Sequence, residues 1–67
     1  MLTIRLNGET RALPVGTVAE LLAAQGVARP RGVAVAVNGE VVPRRSWDVH
    51  RLADGDDVEI VKPIGGG

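Results

Sequence analysis

The stretch Leu2-Thr3-Ile4-Arg5-Leu6-Asn7-Gly8-Glu9 decides how the fold begins. Its large apolar side chains occupy every second position, a spacing that is typical of a strand with one buried face. Asn-Gly accepts positive φ at both central positions of a two-residue turn, so the chain is expected to reverse there. The sequence therefore predicts a β-hairpin whose second strand runs from residue 9 to residue 13, where Pro14 ends it.

A short helix is predicted next, from Val18 to about Gln25. Thr17 and Glu20 have the spacing of a capping box, in which a hydroxyl and a carboxylate each accept a backbone N–H at the start of a helix. Gly26 stands where a left-handed residue commonly ends a helix. A helix of about two turns needs tertiary packing to form, so its apolar face should lie against a sheet.

Three further strands are predicted after the helix. Residues 33–37 are apolar at every position, which favours a central strand of the sheet. A second Asn-Gly turn at residues 38–39 leads into a short strand over residues 40–42. Asp54-Gly55 predicts another turn, and the final strand is expected from Val58 to about Val61.

This order of elements predicts an α+β fold, with one helix packed on a mixed sheet of four to five strands. It suggests a β-grasp, in which the first and last strands lie side by side and parallel. Residues 1–61 would form a single domain and residues 62–67 a flexible C-terminal tail. The predicted core consists of Leu2, Ile4, Leu6, Val18, Leu21, Leu22, Val35, Val37, Val58 and Ile60. Trp47, the one aromatic residue, is expected to plug the core beneath an irregular loop over residues 44–52, and a hot spot for docking is the alternative interpretation.

The composition excludes several classes of function. A chain of 67 residues buries only about 60% of the surface that its unfolded form exposes, which leaves little volume for an enclosed active site. Eight basic residues balance eight acidic ones, and there is no stacking platform of aromatic residues. This argues against nucleic-acid or membrane binding. The absence of cysteine and of any long apolar run is consistent with a cytoplasmic protein.

No catalytic residue and no metal site are predicted. The segment Asp54-Gly55-Asp56-Asp57 resembles a calcium loop only superficially, since its glycine is misplaced and no glutamate closes it. A turn is the better interpretation. His50 has no cysteine or second histidine near it and is interpreted as an exposed loop residue.

The C-terminal glycines are the strongest candidate for a functional group. Gly65, Gly66 and Gly67 follow Ile64 directly after the last predicted strand. Because glycine has no Cβ, such a run can thread a narrow channel and bring its carboxylate close to a reacting partner. A frayed end or a remnant of cloning is the alternative interpretation of the same residues.

The sheet face opposite the helix is a candidate docking surface. By strand periodicity it would carry a mixture of small and charged side chains, which another protein or solvent could cover. The candidate docking residues on this face are Arg5, Ala34, Ala36, Glu59 and Val61.

The chain resembles the ThiS family, the ubiquitin-like sulfur carriers of bacterial thiamin biosynthesis. The resemblance rests on the opening Leu-Asn-Gly hairpin, the segment Val-Ala-Val-Asn-Gly-Glu-Val-Val-Pro-Arg ending at Arg44, the turn over residues 52–56 with the strand after it, and the glycine end. No one of these features is specific. Their order, together with the chain length and the terminal glycines, is specific. The matching features span nearly all of the chain.

The resemblance implies chemistry on the carboxylate of Gly67. An adenylating enzyme related to the ubiquitin activators would transfer AMP from ATP to it, and sulfur from a persulfide donor would then displace AMP. The resulting thiocarboxylate would give its sulfur to thiazole synthase. Ile64, Gly65 and Gly66 would lie in the partner's channel. The chain itself would bind no cofactor permanently, because ATP is used by the activating partner.

Two alternatives to this reading remain open at this stage. The small subunit of molybdopterin synthase shares the fold, the Gly-Gly end and the thiocarboxylate chemistry, but is usually longer and richer in aromatic residues. A β-grasp binding module without terminal chemistry would use the sheet face, and its tail would be incidental. A carrier would need its tail to function, whereas this binding module would not.

Overall fold

The opening hairpin forms as its sequence predicts. A computed structural model describes residues 1–27 and 31–62 of the chain. In it, β1 (Leu2–Leu6) pairs antiparallel with β2 (Glu9–Leu13), so that Leu6 lies opposite Glu9. Asn7 has a φ of 50° and Gly8 a φ of 84°, as a two-residue turn with two left-handed positions requires.

The helix α1 (Val18–Ala24) is capped at both ends. The Thr17 hydroxyl accepts the N–H of Glu20 at 3.2 Å, and the Glu20 carboxylate accepts the N–H of Thr17 at 3.0 Å. At the other end Gly26 has a φ of 77°, and the N–H of Val27 donates to the carbonyl of Leu22 at 3.0 Å. The helix therefore begins and ends within one residue of its predicted bounds, at the capping residues that the sequence indicates.

The remaining strands complete a five-stranded mixed sheet. They are β3 (Ala34–Val37), β4 (Glu40–Val41) and β5 (Asp57–Val61), and the strand order is β2-β1-β5-β3-β4. β5 pairs parallel with β1 and antiparallel with β3. The predicted side-by-side arrangement of the first and last strands is confirmed. The middle position belongs to β5, however, whereas β3 lies between β5 and the short edge strand β4.

The core lies between the helix and one face of the sheet. Its buried residues are Ile4, Leu6, Val18, Leu21, Leu22, Val35, Val37, Val42, Trp47, Leu52, Val58 and Ile60. Nine of the ten predicted core residues are among them. The exception is Leu2, which is only half-buried. It lies at the start of β1 opposite Leu13 of the edge strand, and both residues pack against the margin of the core.

Trp47 plugs the core, as its loop position suggested. It is 6% exposed, and its indole N–H donates to the carbonyl of Val42 at 2.9 Å. The loop around it also closes over the start of the helix, since the carbonyls of Trp47 and His50 accept the N–H groups of Ala19 and Val18 at 3.0 Å each. His50 is accordingly half-buried and not fully exposed, which corrects the interpretation from sequence. Within the described residues, no helix is both long and apolar enough to span a bilayer.

Candidate functional site

The strand that precedes the glycine tail is the middle strand of the sheet. β5 ends at Val61, and Lys62 after it is exposed. The predicted acceptor Gly67 and the predicted channel residues Ile64, Gly65 and Gly66 lie outside the described residues. The structure therefore defines the platform from which the tail starts, and the roles of these four residues stay predictions.

The predicted docking residues lie together on the outer face, the sheet face that the helix does not cover. Strand pairing places Ala34 opposite Val61, Ala36 opposite Glu59, and Arg5 opposite Asp57. Burial alternates strictly along β5, with Val58 and Ile60 buried and the residues between them exposed. Arg5, Ala34, Glu59 and Val61 are exposed and Ala36 is half-buried. Their role in docking stays a prediction.

One part of the outer face is apolar. Val61 is 61% exposed and Val41 is 75% exposed, and both are among the exposed large hydrophobic residues of the described chain. Ala36 lies opposite Val41 in the β3–β4 pair, and Ala34 lies opposite Val61 in the β3–β5 pair. We call Ala34, Ala36, Val41 and Val61 the apolar strip. Small and branched apolar side chains that share a sheet face in this way suit contact with another protein.

Sequence reasoning missed Val41 as a member of this surface, although a signal for it was present. The two-residue turn at Asn38-Gly39 forces Val37 opposite Glu40 and therefore Ala36 opposite Val41. Once Ala36 was assigned to the outer face, Val41 had to share that face.

The other part of the outer face is charged. Arg5, Asp57 and Glu59 lie on the adjacent strands β1 and β5, and with Asn7 and Gly8 they line a shallow polar hollow. Within the described residues no group of three histidine, cysteine or acidic side chains is placed to hold a metal ion. The outer face therefore offers a charged half and an apolar half, divided along the strand that leads to the tail.

The carboxylates that superficially resembled a calcium loop bind backbone amides instead. Asp54 accepts the N–H of Thr3 at 2.8 Å, and Asp56 accepts the N–H of Ala53 at 2.9 Å. The N–H of Gly55 donates to the carbonyl of Thr3 at 2.8 Å. The turn interpretation is therefore correct, and this turn ties the start of β5 to the start of β1.

Two asparagine side chains hold β5 from either side, a role that sequence reasoning did not assign. The side-chain oxygen of Asn7 accepts the N–H of Ile60 at 2.8 Å, and that of Asn38 accepts the N–H of Asp57 at 2.9 Å. Each asparagine follows the last residue of a strand beside β5, so its side chain adds one hydrogen bond where the regular ladder stops. The middle strand β5 is thus hydrogen-bonded to an asparagine side chain at the end of each neighbouring strand.

Comparison with known proteins identifies the family. The model of the ThiS family matches residues 4–67, nearly the whole chain. The chain belongs to the ThiS family. A curated relative, sulfur carrier protein ThiS of Escherichia coli (strain K12), is 33% identical over 64 residues, which cover 96% of this chain and 97% of the relative. The resemblance inferred from the sequence is confirmed.

Solved ThiS structures have the same fold. The crystal structure of the thiamine biosynthesis protein ThiS from Geobacter metallireducens is 36% identical to this chain, with a TM-score of 0.80 over 98% of this chain and all of that one. An NMR solution structure of a thiamine biosynthesis protein from the same organism gives a TM-score of 0.82 at 36% identity, covering 98% of this chain and 88% of that one. The predicted β-grasp is therefore confirmed.

A further relative contains a ThiS-like segment inside a larger protein. The thiazole synthase of Paramagnetospirillum magneticum (strain ATCC 700264 / AMB-1) is 40% identical to this chain over 62 residues. The match covers 92% of this chain but only 19% of that protein.

Proposed function

We propose that this chain carries sulfur for thiamin biosynthesis as a thiocarboxylate on Gly67. The observation that carries the proposal is the extent of the family match, which continues through the terminal glycines to residue 67. The sulfur carrier protein ThiS of Escherichia coli aligns over nearly its full length with this chain. The small subunit of molybdopterin synthase has a similar fold and similar terminal chemistry. These matches favour the thiamin carrier over that subunit.

The proposed cycle has three steps. The Gly67 carboxylate attacks the α-phosphorus of ATP in an adenylating enzyme, and pyrophosphate leaves. Sulfur from a persulfide donor then attacks the acyl carbon and displaces AMP, and reductive cleavage of the acyl persulfide by a thiol leaves the thiocarboxylate. Adenylation is needed because a carboxylate is a poor electrophile without a good leaving group. The thiocarboxylate, by contrast, is an anionic sulfur nucleophile at neutral pH.

In this account the chain is a protein substrate and carrier, and its partners supply the catalytic groups. An extended tail from Lys62 to Gly67 reaches up to about 20 Å, which suits insertion into a buried site while the folded domain stays outside. Ordering those residues costs on the order of 1 to 2 kcal/mol each, so contacts of the folded domain must compensate.

The outer face is the proposed source of those contacts. Val61 belongs to the apolar strip and is followed directly by Lys62, so the surface and the tail are continuous along the chain. A partner that covers Ala34, Ala36 and Val41 is therefore placed where it can also receive the tail. The small side chains of the two alanines allow close approach of a partner's surface, and Arg5 and Glu59 offer charged contacts beside it.

Thiazole synthase is the proposed acceptor of the sulfur. A protein that is named for this activity contains a segment 40% identical to this chain, within a polypeptide about five times as long as the match. Two units joined in one chain meet at high effective concentration, which suits units that act on each other. This supports a direct encounter between the separate carrier and a thiazole synthase.

Release of pyrophosphate tests the proposal. The full chain, ATP and the adenylating enzyme should release pyrophosphate, whereas a chain without Gly66 and Gly67 should not. A denaturant melt of the truncated chain serves as the control, and its midpoint should be unchanged because the deleted residues follow the last strand. Equal rates of pyrophosphate release from the truncated and full chains would contradict the carrier function.

A further inference from the structure

The two Asn-Gly turns form a matched pair with one difference. Asn7 and Asn38 have φ values of 50° and 53°, and the glycines after them have φ values of 84° and 83°. Both asparagines are exposed, and a Cβ built on either glycine would meet nothing within 4 Å. Each side-chain oxygen accepts one backbone N–H of β5. The backbone and the steric surroundings of the two turns are therefore equivalent.

The difference lies at the side-chain nitrogen. Nδ2 of Asn38 donates to the Asp56 carboxylate at 3.0 Å. Within residues 1–27 and 31–62, no hydrogen bond is donated by Nδ2 of Asn7. Among these described residues, the amide of Asn38 is thus held at both ends, whereas the amide of Asn7 is held only at its oxygen.

We propose that Asn7-Gly8 is a site of spontaneous deamidation and that Asp56 protects Asn38-Gly39 from the same reaction. The Gly8 nitrogen loses its proton and bonds to Cγ of Asn7, and the Cγ–Nδ2 bond breaks. The nitrogen leaves as ammonia after taking up a proton, so nothing is oxidised or reduced. Water then opens the succinimide ring at either carbonyl, giving aspartate or isoaspartate. This inference does not depend on the proposed function.

The hydrogen bond from Ile60 favours the reaction at Asn7. When the Gly8 nitrogen attacks, negative charge develops on the side-chain oxygen of Asn7, and the Ile60 N–H already points at that oxygen from 2.8 Å. A fixed backbone donor at such an oxygen stabilises the charged intermediate. Asn38 has an equivalent donor in Asp57, but its nitrogen must also break its bond to Asp56 before it can leave.

The isoaspartate product would weaken the strand that leads to the tail. In isoaspartate the former side-chain carbon becomes part of the backbone, so its oxygen can no longer accept the Ile60 N–H in the same place. The turn also gains one backbone atom, which disturbs a two-residue hairpin. Aspartate, in contrast, keeps an acceptor oxygen for Ile60. Deamidation at Asn7 therefore gives one harmless product and one that loosens β5.

The test compares the two sites within one protein sample. The folded full chain is incubated at mildly alkaline pH and digested with trypsin, which should release residues 6–11 with Asn7 and residues 32–44 with Asn38. Deamidation replaces the side-chain NH2 by OH, and mass spectrometry follows the resulting gain in mass in each peptide. We expect deamidation at Asn7 to be about tenfold faster, the factor expected for one additional hydrogen bond to a charged group. When the chain is unfolded in guanidinium, the deamidation rates at Asn7 and Asn38 should be alike.

Two variants sharpen the test. Asp56→Ala should raise the rate at Asn38 to that at Asn7, with the melt confirming a folded chain. The isoaspartate form, separated from the parent by its extra negative charge and from the aspartate form by reversed-phase chromatography, should melt below the parent, whereas Asn7→Asp should not. Equal rates at the two sites of the folded parent, or a faster reaction at Asn38, would overturn the proposal without any variant. An isoaspartate form as stable as the parent would refute the weakening of β5.

Discussion

The side-chain oxygen of Asn7 accepts the backbone N–H of Ile60 at 2.8 Å, across 53 positions of sequence. Asn7 itself is in the left-handed region and belongs to a turn, so its own carbonyl no longer continues the ladder between β1 and β5. Its side chain takes over as the acceptor for Ile60, a buried residue of the middle strand. Asparagine thus serves here both as a turn former and as a partner for β5.

Three substitutions at Asn7 separate these two roles. Asn7→Asp keeps the acceptor and should leave the free energy of unfolding within about 0.5 kcal/mol. Asn7→Gly keeps the turn but leaves the Ile60 N–H without its acceptor, which should cost about 1 kcal/mol. Asn7→Ala loses the acceptor and also places an alanine at positive φ, for a total of about 2 kcal/mol. Denaturant melts measure all three, and equal stabilities for the glycine variant and the parent would refute the hydrogen-bonding role.

Trp47 should contribute through both its volume and its hydrogen bond. Trp47→Phe keeps most of the apolar volume but leaves the Val42 carbonyl without its donor, so we expect a loss of about 1 to 2 kcal/mol. Trp47→Ala should cost about 3 to 5 kcal/mol because it empties the site beneath the loop.

Val49→Ala is the matched control for the Trp47 variants. Val49 lies in the same loop but is 74% exposed, and this substitution should change stability by less than about 0.5 kcal/mol. A control variant as unstable as Trp47→Ala would show that the whole loop, and not the plug, carries the effect.

The tail should tolerate little side-chain volume at Gly66. Gly66→Ala and then Gly66→Val add increasing bulk where the tail is proposed to enter a narrow channel, so the rate of pyrophosphate release should fall in that order. The carboxylate is retained in both variants, and their melts should match that of the parent. Activation of the valine variant at the full rate would mean that the tail does not thread a narrow channel.

The outer face should fail as a docking surface when it receives a charge. Ala36→Asp places a carboxylate inside the apolar strip, and burying it unpaired against a partner should weaken the affinity for the adenylating enzyme at least about tenfold. Ala23→Asp is the control, because Ala23 is an exposed alanine on the helix. Affinity that is unchanged in Ala36→Asp would move the interface elsewhere, and a loss of folding would show that Ala36 faces inward.

Local signals in the sequence predicted most of the elements, while long-range contacts were beyond them. The Asn-Gly turns, the capping box of Thr17 and Glu20, and the stop at Gly26 depend on residues a few positions apart, which explains why their predictions are correct. Val42 and Leu52 were missed as core residues, because their burial depends on a loop that closes over the helix. The pairing of Asn7 with Ile60 was missed for a different reason. The parallel pairing of the first and last strands was predicted, but nothing in the sequence indicated the register that places Leu6 opposite Val58.

The intact mass of the chain from cells starved of thiamin shows whether Gly67 carries sulfur. If Gly67 carries the sulfur, a fraction of the chain should show one oxygen replaced by sulfur, and fragmentation should place that change at the C-terminal residue. Removal of Gly66 and Gly67 should abolish the modified mass. A chain that stays unmodified in starved cells, or a sulfur found on another residue, would contradict the account.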